Sequence, residues 1–139
     1  MSDPATIARE MFESFNKRDW SKMRSLMHAD YTYTGSDGEV QRGPEAGLAV
    51  AQMFATAMPD ATITIGHIHA AGNVAITEFT GSGTQTGPFM DISPTGRKVT
   101  MPVCDVIEIR DGKIVAEREY MDMAHLLQQL GVMPEAARA

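Results

Sequence analysis

The chain has 139 residues, of which 43% are hydrophobic and 22% charged, a length suited to one domain with one core and a composition that excludes disorder. A formal net charge of −6, from 12 Lys+Arg against 18 Asp+Glu, argues against nucleic acid or an anionic membrane as partner, since both select basic surfaces. No apolar run approaches the roughly 20 residues that cross a bilayer, the start Met1-Ser2-Asp3-Pro4 lacks a basic stretch followed by an apolar one, and the single cysteine, Cys104, leaves no internal disulfide. A cytoplasmic protein is the expectation.

In chain order, Ser2-Asp3-Pro4 offers a capping side chain and a first-turn proline, and Ile7, Met11, Phe12 and Phe15 come next at helical spacing, predicting a helix from Pro4 to Lys17. Asp19 caps a shorter second helix with Trp20, Met23 and Met27 on one side. His28-Ala29-Asp30 then turns the chain into a short strand, Tyr31 to Thr34. Gly43-Pro44-Glu45 opens a third helix that closes near Met58-Pro59-Asp60.

The period then changes from helix to strand. Thr62 to His69 and Val74 to Phe79 form one hairpin across Ala71-Gly72-Asn73, and glycines and prolines from Gly81 to Gly96 interrupt the next stretch. Val99 to Ile109 and Ile114 to Met121 form a second hairpin across Arg110-Asp111-Gly112-Lys113, where Asp-Gly is a strong turn signal. A last helix, Met123 to Leu130, stops at Gly131 with Pro134 beyond. Helices first and meandering strands after them predict an α+β fold over residues 1–139: a curved antiparallel or mixed sheet wrapped around the N-terminal helices, leaving a cone-shaped, mainly apolar hollow for a small molecule.

On the final strand Arg118, Tyr120 and Asp122 alternate with Glu117, Glu119 and Met121, so the first three share a face. If that face lines the hollow, burial raises the pKa of Asp122 and Arg118 lowers it, which suits general acid/base work. The competing reading of Asp122 is a cap for the helix that begins at Met123. Asp105 shares a face with Ile107 and Ile109 and either enters the hollow or pairs structurally with Arg118. Gln85, in Gly81-Ser-Gly-Thr-Gln-Thr-Gly87, is expected to donate a hydrogen bond to a ligand; that segment lacks the lysine and following helix of a phosphate loop. His67 and His69 lie two apart on one strand, but with no further ligand at telling spacing they make no metal site, and His67 is kept only as a substrate contact. The methionines, eleven in all, read as pliant core or as the wall of a broad apolar cavity.

Read in order, Phe15-Asn16-Lys-Arg-Asp19, Pro59-Asp60, Gly83-Thr-Gln-Thr-Gly-Pro-Phe89, Pro94-Thr-Gly-Arg97, Asp111-Gly-Lys-Ile114 and Tyr120-Met-Asp122 followed by Leu126-Leu-Gln-Gln-Leu130-Gly131 resemble the SnoaL-like polyketide cyclases of the NTF2-like fold group. The resemblance implies a conical α+β barrel, a homodimer through the sheet, and no metal or organic cofactor. It implies an intramolecular aldol condensation on a small hydrophobic carbonyl compound, with Asp122 as the acid/base and Arg118, Tyr120, Gln85, Asp105 and His67 as substrate contacts. Histidine is frequent in the family where this chain has Gln85, which cannot exchange a proton in the useful range. Two rivals are an epoxide hydrolase or isomerase, in which Asp105, Arg118 and Asp122 hold one water, and a non-catalytic dimeric ligand-binding protein in which Asp122 is only a cap.

Overall fold

A computed structural model describes residues 3–133. Met1, Ser2 and the expected stop at Pro134 lie outside them. Helix α1 (Pro4–Asn16) is capped by Asp3, whose carboxylate accepts from Thr6 N–H at 2.7 Å, and buries Ile7, Met11, Phe12 and Phe15. Asp19 likewise caps α2 (Trp20–Ser25). Then come β1 (Met27–Thr34), β2 (Val40–Arg42), α3 (Pro44–Ala57), β3 (Thr62–Ala71), β4 (Val74–Thr84), β5 (Lys98–Arg110), β6 (Lys113–Met121) and α4 (Met123–Leu130). The expected α+β order holds, with corrections at element ends. His28-Ala29-Asp30 lies inside β1 instead of forming a turn, and β2, exposed along its length, carries no apolar alternation that could have revealed it.

The strands form one curved, unclosed sheet in the order β2-β1-β6-β5-β4-β3, with β1 parallel to β6 and the remaining neighbours antiparallel. Helices α1 and α3 lie across its inner face and meet the inward residues Tyr31, Phe79, Val99, Met101, Val103 and Ile107 in one core. Strand β4 runs past Gly81, where the sequence suggested a break. Gly83 lies where α3 ends, and a Cβ there would stand 2.8 Å from Met58 Cβ, so the glycine marks a close approach and not a turn.

The motif at the end of α1 is structural. Asn16 uses its side-chain amide as a strand would, donating to Ile63 C=O at 2.9 Å and accepting from Ile63 N–H at 2.8 Å. Arg18 donates to the carbonyls of Phe15, Pro59 and Ala61, while its guanidinium stacks 4.7 Å from the Phe15 ring centroid. Together they hold α1 against the edge of β3.

Candidate functional site

Between the helices and the inner face of the sheet lies a cavity of about 130 Å³. Its wall is apolar: Phe12 and Phe15 from α1, Val50 and Phe54 from α3, and Phe79 and Met101 from the sheet are among its lining residues. Thr62 is the exposed residue of that lining. The cavity's acidic and phenolic lining residues, Tyr33, Glu117 and Glu119, lie together at the β1–β6 end, while Thr62 and Ser82 add hydroxyls at the β3–β4 end.

The residues behind that wall form an acidic cluster. Asp105 on β5 and Glu117 and Glu119 on β6 bring one carboxylate oxygen each to within 4.8 Å of one another. Asp105 stands directly across from Glu119, and Ile107 across from Glu117, so all four side chains point inward. Tyr31 donates to Glu117 Oε1 at 2.5 Å and Tyr33 to Glu119 Oε1 at 2.8 Å, fixing both glutamates from the neighbouring strand. Neither oxygen of Asp105, which is 1% exposed, meets a donor group among the described residues; the group within its hydrogen-bond reach is another carboxyl, Glu117. Buried polar groups are nearly always given a donor, so a carboxyl with only a second carboxyl beside it calls for an explanation.

Electrostatics follow from this crowding. Burial, and then the charge of Glu117 beside it, push the Asp105 carboxyl well above its usual range. The same two causes raise Glu119 to about 7, against a smaller opposing effect from the Tyr33 hydrogen bond. Burial and the facing carboxylates also raise the phenols of Tyr31 and Tyr33, so both remain donors. Among the described residues, none of the three carboxyls forms an ion pair. A proton is thus held near neutrality at the end of an apolar cavity, a setting suited to proton transfer.

The expected constellation is corrected here. Arg118, Tyr120 and Asp122 do lie to one side of β6, but that side is the outer one. Arg118 pairs with Glu108, Tyr120 is 53% exposed, and Asp122 is an exposed cap whose Oδ1 accepts from His125 N–H at 3.1 Å. The cause is one residue. Asp111 and Gly112 both take positive φ, closing a tight hairpin in which Arg110 faces Lys113 and Ile109 faces Ile114. Continued without interruption, that register would set Arg118 opposite Asp105. Instead Glu108 faces Ala116, leaving Val115 as a bulge, and every later side chain of β6 changes face. Asp105 enters the interior as one reading allowed, but it meets Glu117 and Glu119 and not Arg118, so the three-residue water site of an epoxide hydrolase is not formed.

Two other expectations are corrected. Gln85 is fully buried, yet its amide is committed to its own loop: Nε2 donates to Gly87 C=O at 3.1 Å, and Oε1 accepts from Thr95 Oγ1 at 2.6 Å and Thr95 N–H at 3.0 Å. It organises the 85–97 loop and does not line the cavity. His67 follows a register shift in β3 at Gly66 and stacks on His69 at 6.0 Å, in an open outer groove shared with Tyr120, Cys104 and Asp122. The signal missed was the inward parity of Ile107, which fixes its partner Glu117 and hence Glu119 once the bulge is known.

Known proteins match this architecture closely. Wild-type IdmH of Streptomyces antibioticus, a candidate polyketide cyclase, superposes with a TM-score of 0.82 at 28% identity over 94% of this chain and 100% of its own. TsrD of Streptomyces laurentii gives 0.81 at 26% identity, covering 92% of this chain and 94% of its own. A protein of ketosteroid isomerase-like fold from Catenulispora acidiphila gives 0.78 at 19% identity over 96% of each chain, a likeness of fold alone. Among curated proteins none matches significantly. The family model for the SnoaL-like polyketide cyclases matches residues 5–130, and with that span, together with the NTF2-like fold, the chain belongs to the SnoaL-like polyketide cyclase family.

Proposed function

We propose that this protein transfers protons on a small apolar carbonyl compound, in a ring-closing reaction of the intramolecular aldol type, with Glu119 as the acid/base. The observation that carries the reading is a single carboxyl, held by Tyr33 at the end of an apolar cavity and raised to about 7 by its burial and by Glu117. A base with a pKa near the working pH combines adequate strength with adequate population.

In the proposed cycle the Glu119 carboxylate removes a proton α to a carbonyl, breaking C–H and forming O–H on the glutamic acid. The enolate carbon attacks a second carbonyl of the same molecule, forming the ring C–C bond. The resulting alkoxide takes the proton back from Glu119, which restores the carboxylate and leaves a hydroxyl. Membership of the family supports the reaction class; the apolar wall supports a substrate with little polarity beyond its carbonyls.

Hydrogen–deuterium exchange at the α-carbon of small cyclic ketones in D2O, followed by NMR, tests the first step. Wild-type protein accelerates exchange, Glu119→Gln loses that acceleration, and Asp122→Asn keeps it. Exchange unaffected by Glu119→Gln overturns the reading. A homodimer through the outer face of the sheet, with the exposed Ile76 and Tyr120, belongs to the same proposal and is tested by light scattering.

A further inference from the structure

We propose that the cluster of Asp105, Glu117 and Glu119 is also a binding site for the ammonium group of a small apolar primary amine whose carbon skeleton fills the adjoining cavity. Three acidic side chains meet with no lysine, arginine or histidine paired to them among the described residues. Glu117 and Glu119 each have one oxygen satisfied by a tyrosine, which leaves the other free to accept. Asp105, at 1% exposure, meets no donor group on either oxygen among the described residues, has only the carboxyl of Glu117 within hydrogen-bond reach, and directs its carboxyl into the cluster. Burial first, and then the charge of Glu117, raise the carboxyls of Asp105 and Glu119, a penalty that a cation placed among them would relieve.

A primary ammonium offers three donors, one for each carboxyl. Oxygens no more than 4.8 Å apart can all be reached from one central nitrogen at the roughly 2.7–2.9 Å of charge-assisted hydrogen bonds. A divalent ion would have to shed its water against a mainly apolar wall, whereas an organic ammonium brings its own apolar body. Phe12, Phe15, Phe54 and Phe79 line the space that body would occupy, and their ring faces also favour a nearby cation. The cavity of about 130 Å³ sets the size of the ligand, because an apolar cavity of about 150 Å³ in another protein holds one benzene. Benzylamine therefore has suitable dimensions. This inference goes beyond the acid/base reading, and amine and ketone would compete for Glu119.

Isothermal titration calorimetry of the full chain at pH 8 with benzylamine, benzyl alcohol, benzoate, benzyltrimethylammonium and manganese chloride separates the alternatives. Benzylamine is expected to bind at least ten-fold more tightly than benzyl alcohol, benzoate not to bind, and the trimethylated cation, which has no N–H to donate, to bind at least ten-fold more weakly than benzylamine. Asp105→Asn, Glu117→Gln and Glu119→Gln should each weaken benzylamine at least ten-fold while leaving benzyl alcohol within three-fold, a control that also reports folding. Equal affinity for amine and alcohol overturns the proposal, as does manganese binding that depends on the same three residues while benzylamine does not bind. Failure of the amine with ketone exchange intact would leave the catalytic reading standing, and amine binding without exchange would do the reverse.

Discussion

Asp105 and Glu119 face each other across the β5–β6 pair, and both point into the interior. Two carboxyls placed so cannot both ionise freely, and the tyrosines that orient the glutamates donate hydrogen bonds without supplying positive charge.

This predicts an inverted pH dependence of stability. Glu119 titrates at about 7 in the folded chain against 4.5 for a free glutamate. The fold holds the proton more tightly, so the stabilisation is full below about pH 4.5 and is lost as pH rises to about 7. Glu119→Gln keeps the acceptor for Tyr33 and should raise stability at pH 8 by on the order of 2–3 kcal/mol, with little effect at pH 4.5. Urea denaturation at the two pH values measures it, and a variant equally stable or weaker at pH 8 would contradict the assignment.

Asp105→Asn should behave in the same direction. This carboxyl is raised well above its ordinary range by burial and by Glu117, so removing its charge relieves a penalty that grows with pH. A melting temperature at pH 8 below that of the wild type would count against it.

Gly47 sits on α3 against the ring of Tyr31, and a Cβ there would stand 2.6 Å from both Cε1 and Oη. In a helix interior alanine normally gains about 1 kcal/mol over glycine. Gly47→Ala should instead destabilise by roughly 1–3 kcal/mol, as overpacking does, and slow the proposed α-proton exchange by displacing Tyr31 from Glu117. A crystal structure of the variant with the Tyr31–Glu117 hydrogen bond unchanged would refute the link to catalysis.

Asp122→Ala removes a helix cap, which is worth about 0.5–2 kcal/mol. Its expected phenotype is lower thermal stability with the α-proton exchange rate retained at temperatures where the variant is folded. Loss of exchange in a folded Asp122→Ala protein would return catalysis to the outer face.

Gln85→Ala removes from the 85–97 loop the buried amide that accepts from Thr95 and donates to Gly87. Leaving such groups unsatisfied costs about 1–3 kcal/mol each, so a drop in stability of at least about 2 kcal/mol in urea is expected. A neutral result would mean the loop is held by other contacts.

Much of the fold was legible because its signals are local. Asp3, Asp19 and Gly131 punctuate helices, and Asp111-Gly112 announces a hairpin. The alternation along β5 from Val99 to Ile107 also gives its inward face directly. The site was less legible because it depends on the phase between two strands. Arg118, Tyr120 and Asp122 share a side as their spacing requires, but spacing cannot say which side. Val115, an ordinary strand former, decides it by bulging, and nothing in its identity announces that it will. Gln85 shows the other limit: a buried amide in a glycine-rich segment looks the same in sequence whether it serves a ligand or its own loop.

The side-chain amide of Asn16 occupies both backbone groups of Ile63 on the outermost strand. An exposed strand margin is a template on which a second polypeptide can zip and polymerise. By covering that margin at Ile63 with a helix end, the chain removes one pairing position from its ten-residue β3 border, using a residue on α1 and not one of the acidic interior.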